Sequence, residues 1–211
     1  MKRFFFGLCL VGLLYVSLTM WQGQTGKSSP ISIATISHLM ATIQPGHQVQ
    51  SGTSVEGKPT IGASFINTVL AAAGSPAKNT GQALYDLGVK YGIDPVYALA
   101  FFMHESTFGT AGVARATLSL GNIRCTPSYL CIEGYRAYST WQQGYEDWYK
   151  LIRNLYLGQW HLSTVEQIVP VYAPASDHND VPGYIAAIET AVRTFRIEAS
   201  KIANSGVKLA A

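Results

Sequence analysis

The chain has 211 residues, enough for one good-sized domain with appendages. Its composition, 48% apolar and 13% charged, excludes a wholly disordered chain, because there is ample surface to bury against the entropy of ordering. The formal charge of +3 gives a weak pull toward an anionic polymer, but the basic residues are scattered and form no clustered stripe, so nucleic acid is not an expected partner.

In chain order, Lys2 and Arg3 precede an apolar run from Phe4 to about Met20, the pattern of an export signal. Ser17 and Thr19 imitate the small-residue cleavage pattern only loosely, and the run is nearly long enough to cross a bilayer. Residues 1–20 therefore read as a signal peptide or, through residues 4–20, a membrane anchor, with the rest secreted or held outside the cytoplasm. Cys9 lies within this run as a small apolar residue. Residues 21–59, rich in Gln, Ser, Thr and Gly, read as a flexible linker, which places the folded domain at 60–199 and a frayed tail at 200–211.

Within the domain, helix signals recur and no convincing run of alternating strands appears, so a mainly α-helical fold is expected. Ser64 to Ala73 forms a first helix ending at Gly74, and Thr80 caps a second that stops at Gly92. Asp94-Pro95 opens a third, in which Val96 to Met103 is apolar nearly all round, the mark of a helix at the centre of a globule. Glycines, prolines and aromatics between Arg115 and Thr140 predict loops with one short hairpin, whose turn Cys125 and Cys131 would staple in an oxidising compartment. Trp141 to Leu157 is a long helix, Ser163-x-x-Glu166 a capping box, and Asp180 with Pro182 opens the last helix through Tyr184, Ile188, Val192 and Phe195. No metal or other cofactor is implied: no H-E-x-x-H occurs, and two cysteines without nearby histidine cannot complete a zinc site.

Of the twelve acidic residues, most fall in the linker, at helix starts or on amphipathic helices where a solvated face suffices, Asp147 among the last group. Glu105, Glu133 and Asp177 remain. Glu105 follows the uncharged run of the third helix and His104, so its carboxylate ends a buried rod, where burial costs several kcal/mol unless the pKa rises or partners appear. Either outcome suits a general acid, whereas a solvated helix end or a pair with Arg115 or Arg124 needs no function. Phe108, Tyr129, Tyr135, Tyr138, Trp141 and Trp148 supply rings near this point in sequence; Trp148 reads as core, and Tyr135 and Tyr138 as groove residues.

Three segments carry a resemblance: Ala98-Leu99-Ala100-Phe101-Phe102-Met103-His104-Glu105-Ser106-Thr107-Phe108-Gly109, then Ser119-Leu120-Gly121-Asn122-Ile123, then Tyr172-Ala173-Pro174 with Asp177 and Tyr184. Over roughly Thr60 to Arg196 the chain resembles the glucosaminidase family of peptidoglycan hydrolases, a lysozyme-like group also called glycoside hydrolase family 73. The resemblance implies a lysozyme-like helical domain with a short β-hairpin that cuts the N-acetylglucosaminyl-β-1,4-N-acetylmuramyl bond. It makes Glu105 the acid, Tyr172 a residue close to the cleaved sugar, and Asn122 part of the groove; Ser119, in the same motif, and Phe108, by its ring, are further substrate-binding candidates. A second carboxylate would come from Glu133 in the hairpin or Asp177, with the nucleophile left open. Two rival readings stand beside it. A lytic transglycosylase shares the helix-end glutamate, but Ser119-Leu120-Gly121-Asn122-Ile123 lacks the Gly-Leu-Met-Gln ending of that group. A non-catalytic wall-binding module would not need Glu105 at all.

Overall fold

A computed structural model describes Gly52 and residues 54–208, the side chains of 205–208 excepted. The expected export segment and nearly all of the expected linker lie outside the described residues. Among those described, the chain forms seven α-helices and one two-stranded hairpin.

Helix α1, Ala63–Ala72, packs on α2, Gly81–Tyr91. The second helix ends where Gly92 takes φ 66°, a left-handed turn that costs glycine nothing. Helix α3, Pro95–Ser106, follows at once: Asp94 caps it, its carboxylate accepting from the Val96 N–H at 3.2 Å. That carboxylate is itself buried, and it is compensated by the Thr60 N–H and hydroxyl and by the Arg196 guanidinium at 3.0 Å. Pro95 through Met103 are all buried, and α3 packs against α2 and against the last helix, the central position its all-round apolar sequence predicts.

After the short α4, Ala114–Thr117, come β1, Cys131–Ile132, and β2, Tyr135–Arg136, with Cys131 opposite Arg136 and Ile132 opposite Tyr135. Glu133 and Gly134 both take positive φ, 50° and 85°, as a two-residue turn between right-twisted strands requires. The Cys125–Cys131 disulfide forms, but it ties the preceding loop to β1 rather than closing this turn.

Helix α5, Trp141–Lys150, passes directly into a π-helix, Leu151–Gln159, where the sequence reading has a single α-helix to Leu157. Helix α6, Val165–Tyr172, leads through a 3-10 turn, Ala175–Asp177, to α7, Val181–Lys208. Tyr184, Ile188, Val192 and Phe195 line the buried face of α7, as their spacing predicts.

Three boundaries differ from the sequence reading. The capping box of α6 lies one residue later: Thr164 is the cap, and Gln167 accepts from the N–H groups of Ser163 and Thr164, while Glu166 takes no part. Helix α7 runs past Ala199 to Lys208, a stretch with no proline and only one glycine, Gly206. The packed domain also begins before residue 60. Val55 is fully buried, its N–H donates to the Ser163 carbonyl at 2.8 Å, and Glu56 pairs with Arg153.

Candidate active site

The last turn of α3 is braced before it carries any chemistry. Thr107, Phe108 and Gly109 take φ of 48°, 55° and 83°, so the backbone reverses sharply just after Ser106. Ser106 holds the reversal: its hydroxyl donates to the Leu120 carbonyl at 2.9 Å and accepts from the Gly109 N–H. The bond to Leu120 also draws the Ser119–Ile123 segment against the helix end, and the Asn122 side-chain amide adds a second tie by donating to the Glu105 carbonyl at 2.8 Å. Gly121 fits there because any side chain would collide; a Cβ would come within 2.7 Å of the Trp148 ring and 3.0 Å of Phe102.

Glu105 is half-buried on this braced turn and lines a cleft of about 290 Å³ together with Asn122, Arg124, Tyr135, Tyr156 and Tyr172. The Tyr184 hydroxyl donates to Glu105 Oε1 at 2.5 Å. Among the described residues Glu105 makes no ion pair; the nearby cation, Arg124, bonds Asp177 at 3.0 Å instead. Burial pushes the Glu105 carboxyl up to about 7, against the opposing pull of the Tyr184 hydroxyl, the Asn122 amide and the Arg124 charge. A carboxyl titrating near neutrality beside an open cleft can hold a proton for transfer at physiological pH. Burial and the neighbouring carboxyl raise Tyr184 well above the usual phenol value, so it remains a donor.

Tyr172 and Asp177 line the same cleft, Tyr172 donating to the Gly121 carbonyl at 2.5 Å and Asp177 held by Arg124. Asn122 and Tyr135 line it too, with the Arg124 guanidinium 5.5 Å above the Tyr135 ring. Four residues expected at the site are elsewhere. Glu133 occupies the exposed hairpin turn, away from the cleft lining. Phe108 is wholly buried because the left-handed reversal turns its ring into the core. Ser119 is 1% exposed, beneath the groove segment rather than on its surface. Tyr138 is tied down by its hydroxyl, which donates to Asp147 Oδ2 at 2.6 Å.

Asp147 is the acidic residue that helix patterning misplaces. It is nearly buried, not solvated, and accepts from Arg136 at 2.8 Å, Tyr129 at 2.9 Å and Tyr138. This cluster fastens β2 and the preceding loop to α5, and with them the Arg124–Tyr135 side of the cleft. The π-helix contributes Leu151 and Tyr156 to the lining. In a π-helix residues five apart align, so the wider turn brings this pair to one face; no local signal in the sequence announces it. Trp148 packs against Phe101 and Phe102, as the helical spacing predicts. Among the described residues no cluster of three or more His, Cys, Asp or Glu is arranged to hold a metal ion, and no helix is long and apolar enough to cross a membrane.

Compared with family models and with curated proteins, the chain matches none.

Proposed function

We propose that the chain is a lysozyme-like glycoside hydrolase, exported or anchored with its domain outside the cytoplasm. Within that class the motif resemblance favours an endo-β-N-acetylglucosaminidase acting on peptidoglycan or a related N-acetylglucosamine-containing glycan. The observation that carries this reading is Glu105: one carboxyl, raised to about 7, at the end of a buried helix and open to a cleft lined by Tyr172, Tyr135 and Tyr156. With Oε1 accepting from Tyr184, Oε2 is the oxygen that holds the proton and delivers it to the glycosidic oxygen as the bond to C1 breaks. Glu133 lies outside the cleft lining and Asp177 is engaged by Arg124, so the reading favours the substrate's own acetamide as the group that attacks C1. Water then opens the cyclic intermediate, with the Glu105 carboxylate taking up its proton.

Digestion of purified peptidoglycan followed by mass spectrometry tests the reading. Fragments with reducing N-acetylglucosamine ends are expected. Anhydromuramyl ends would reassign the chain to the transglycosylases, and an undigested wall would reduce it to a binding module.

A further inference from the structure

The bond from the Tyr184 hydroxyl to Glu105 crosses between two helices, from α7 to the last turn of α3. A phenol oxygen sits at the far end of its ring, so a small tilt of the ring carries it out of hydrogen-bond range. The bond therefore needs the ring itself to be fixed, and α3 supplies the means. Phe101, His104 and Glu105 stand three and four residues apart, the spacing that brings side chains to one helical face. All three meet Tyr184. The Phe101 ring lies against it with centroids 5.9 Å apart and planes tilted by 56°, the His104 imidazole stacks on it at 3.8 Å and 23°, and Glu105 Oε1 accepts its hydroxyl.

The two rings differ in what else holds them. Phe101 is buried in the core and also meets Trp148 and Tyr172. His104 is exposed, and among the described residues its imidazole makes no hydrogen bond or ion pair. The ring beneath it is nonetheless sealed, Tyr184 being only 4% exposed. An exposed imidazole lying flat on a buried phenol covers it and stops it from tilting outward. Partial desolvation lowers the His104 pKa below the usual 6.5, which keeps the stack one of two uncharged rings near pH 7. Other charged or titratable groups around the acid are engaged elsewhere. Arg124 bonds Asp177, Tyr172 donates to the Gly121 carbonyl, and Arg136 pairs with Asp147. Tyr135 and Tyr156 line the cleft, and Asp180, beside His104, caps α7 through the Gly183 N–H. Among the described residues none of these has a ring contact or hydrogen bond with Tyr184.

We infer that His104 is a positioning residue: by stacking on Tyr184 it keeps that hydroxyl on Glu105 Oε1 and so sets how readily the acid gives up its proton. It makes no bond to the carboxylate itself and acts through Tyr184. Its part in catalysis rests on the hydrolase reading; its hold on the carboxyl does not.

The test titrates the Glu105 carboxyl by nuclear magnetic resonance in the isotope-labelled full chain, with the signal identified by its loss in Glu105→Gln. The proteins compared are the wild type, His104→Ala, Tyr184→Phe and the double variant. Without the imidazole the Tyr184 hydroxyl leaves a bond that favours the carboxylate, so His104→Ala should raise the Glu105 pKa by about half a pH unit. With Tyr184→Phe already in place no hydroxyl remains, and the same substitution should change nothing further. A ring that merely shielded Glu105 from water would instead give the same downward shift with or without Tyr184→Phe. His104→Phe, which keeps a flat ring without the nitrogens, should restore the wild-type titration. Equal shifts in both backgrounds, or none in either, would overturn the inference, as would a His104→Phe protein that titrates like His104→Ala. Because the titration reads a carboxyl and not a reaction, it separates the two claims. A protein that titrates as expected yet leaves peptidoglycan undigested would support the His104–Tyr184 tie and sink the hydrolase reading.

Discussion

The Glu105 carboxyl is tuned by two opposed effects whose balance is open to measurement. Burial favours the protonated acid, and the Tyr184 hydroxyl favours the carboxylate. On the proposed role of Glu105 as general acid, the protonated form is the active one, and kcat/KM on soluble glycan should fall as pH rises through about 7. Tyr184→Phe removes a bond that lowers the pKa, so the alkaline limb should move to higher pH while the rate drops by roughly tenfold. A limb that stays in place while only the amplitude changes would make Tyr184 a packing residue. Glu105 was legible in sequence because eight uncharged residues of helix run up to it through His104, a context few acidic side chains share. Tyr184 was visible as a buried-face residue of the last helix and as part of a motif, but nothing local ties residue 184 to residue 105. Phe108 and Tyr138 misled through nearness in sequence to the acid and Ser119 through its place in a motif; neither tells which way a side chain turns. The left-handed reversal at Thr107–Gly109 sends Phe108 inward, and the Asp147 carboxylate captures Tyr138.

At the scale of elements, the hairpin is two residues per strand, too short to stand by its own ladder. It is held instead by the Cys125–Cys131 disulfide and by the Arg136–Asp147 pair, whose side chains are each only 12% exposed. Removing one partner of such a pair leaves a charge buried without compensation. Asp147→Ala should therefore lower stability by about 3–5 kcal/mol in urea unfolding, with Arg136, Tyr129 and Tyr138 all losing their acceptor. A change below about 1 kcal/mol would show the cluster to be solvated, as a reading of α5 as a plain amphipathic helix implies. Thr80 precedes α2 as expected, but its hydroxyl donates to the Ala77 carbonyl and does not cap the helix. Helices α3 and α7 were legible because their aspartate caps and apolar spacing agreed, and α1 and α2 from spacing and the glycines that follow them. The change from α to π at Leu151 was not, because both helix types use the same good helix formers and differ in a hydrogen-bond shift that side-chain periodicity barely records.

For the molecule as a whole, the core is gathered around α3, and the segment before Thr60 belongs to it. Composition alone suggested a linker there, since one valine among polar residues carries no periodic signal. The structure buries that valine, Val55, and pairs the segment with Ile93 and Thr164 through isolated β-bridges. A chain beginning at Thr60 should be less stable than one beginning at Gly52 by about 1.5–3 kcal/mol, the usual worth of one fully buried Val side chain. Coincident urea midpoints for the two would restore the domain boundary to residue 60.

The central claim is that one proton donor, Glu105, carries the chemistry of this fold. It is tested most directly by comparing initial rates of peptidoglycan hydrolysis for the wild-type protein and Glu105→Gln, which keeps the acceptor for Tyr184 but has no acidic proton. The account predicts a loss of about 10²–10⁴-fold with glycan binding retained. Hydrolysis at the wild-type rate would contradict it.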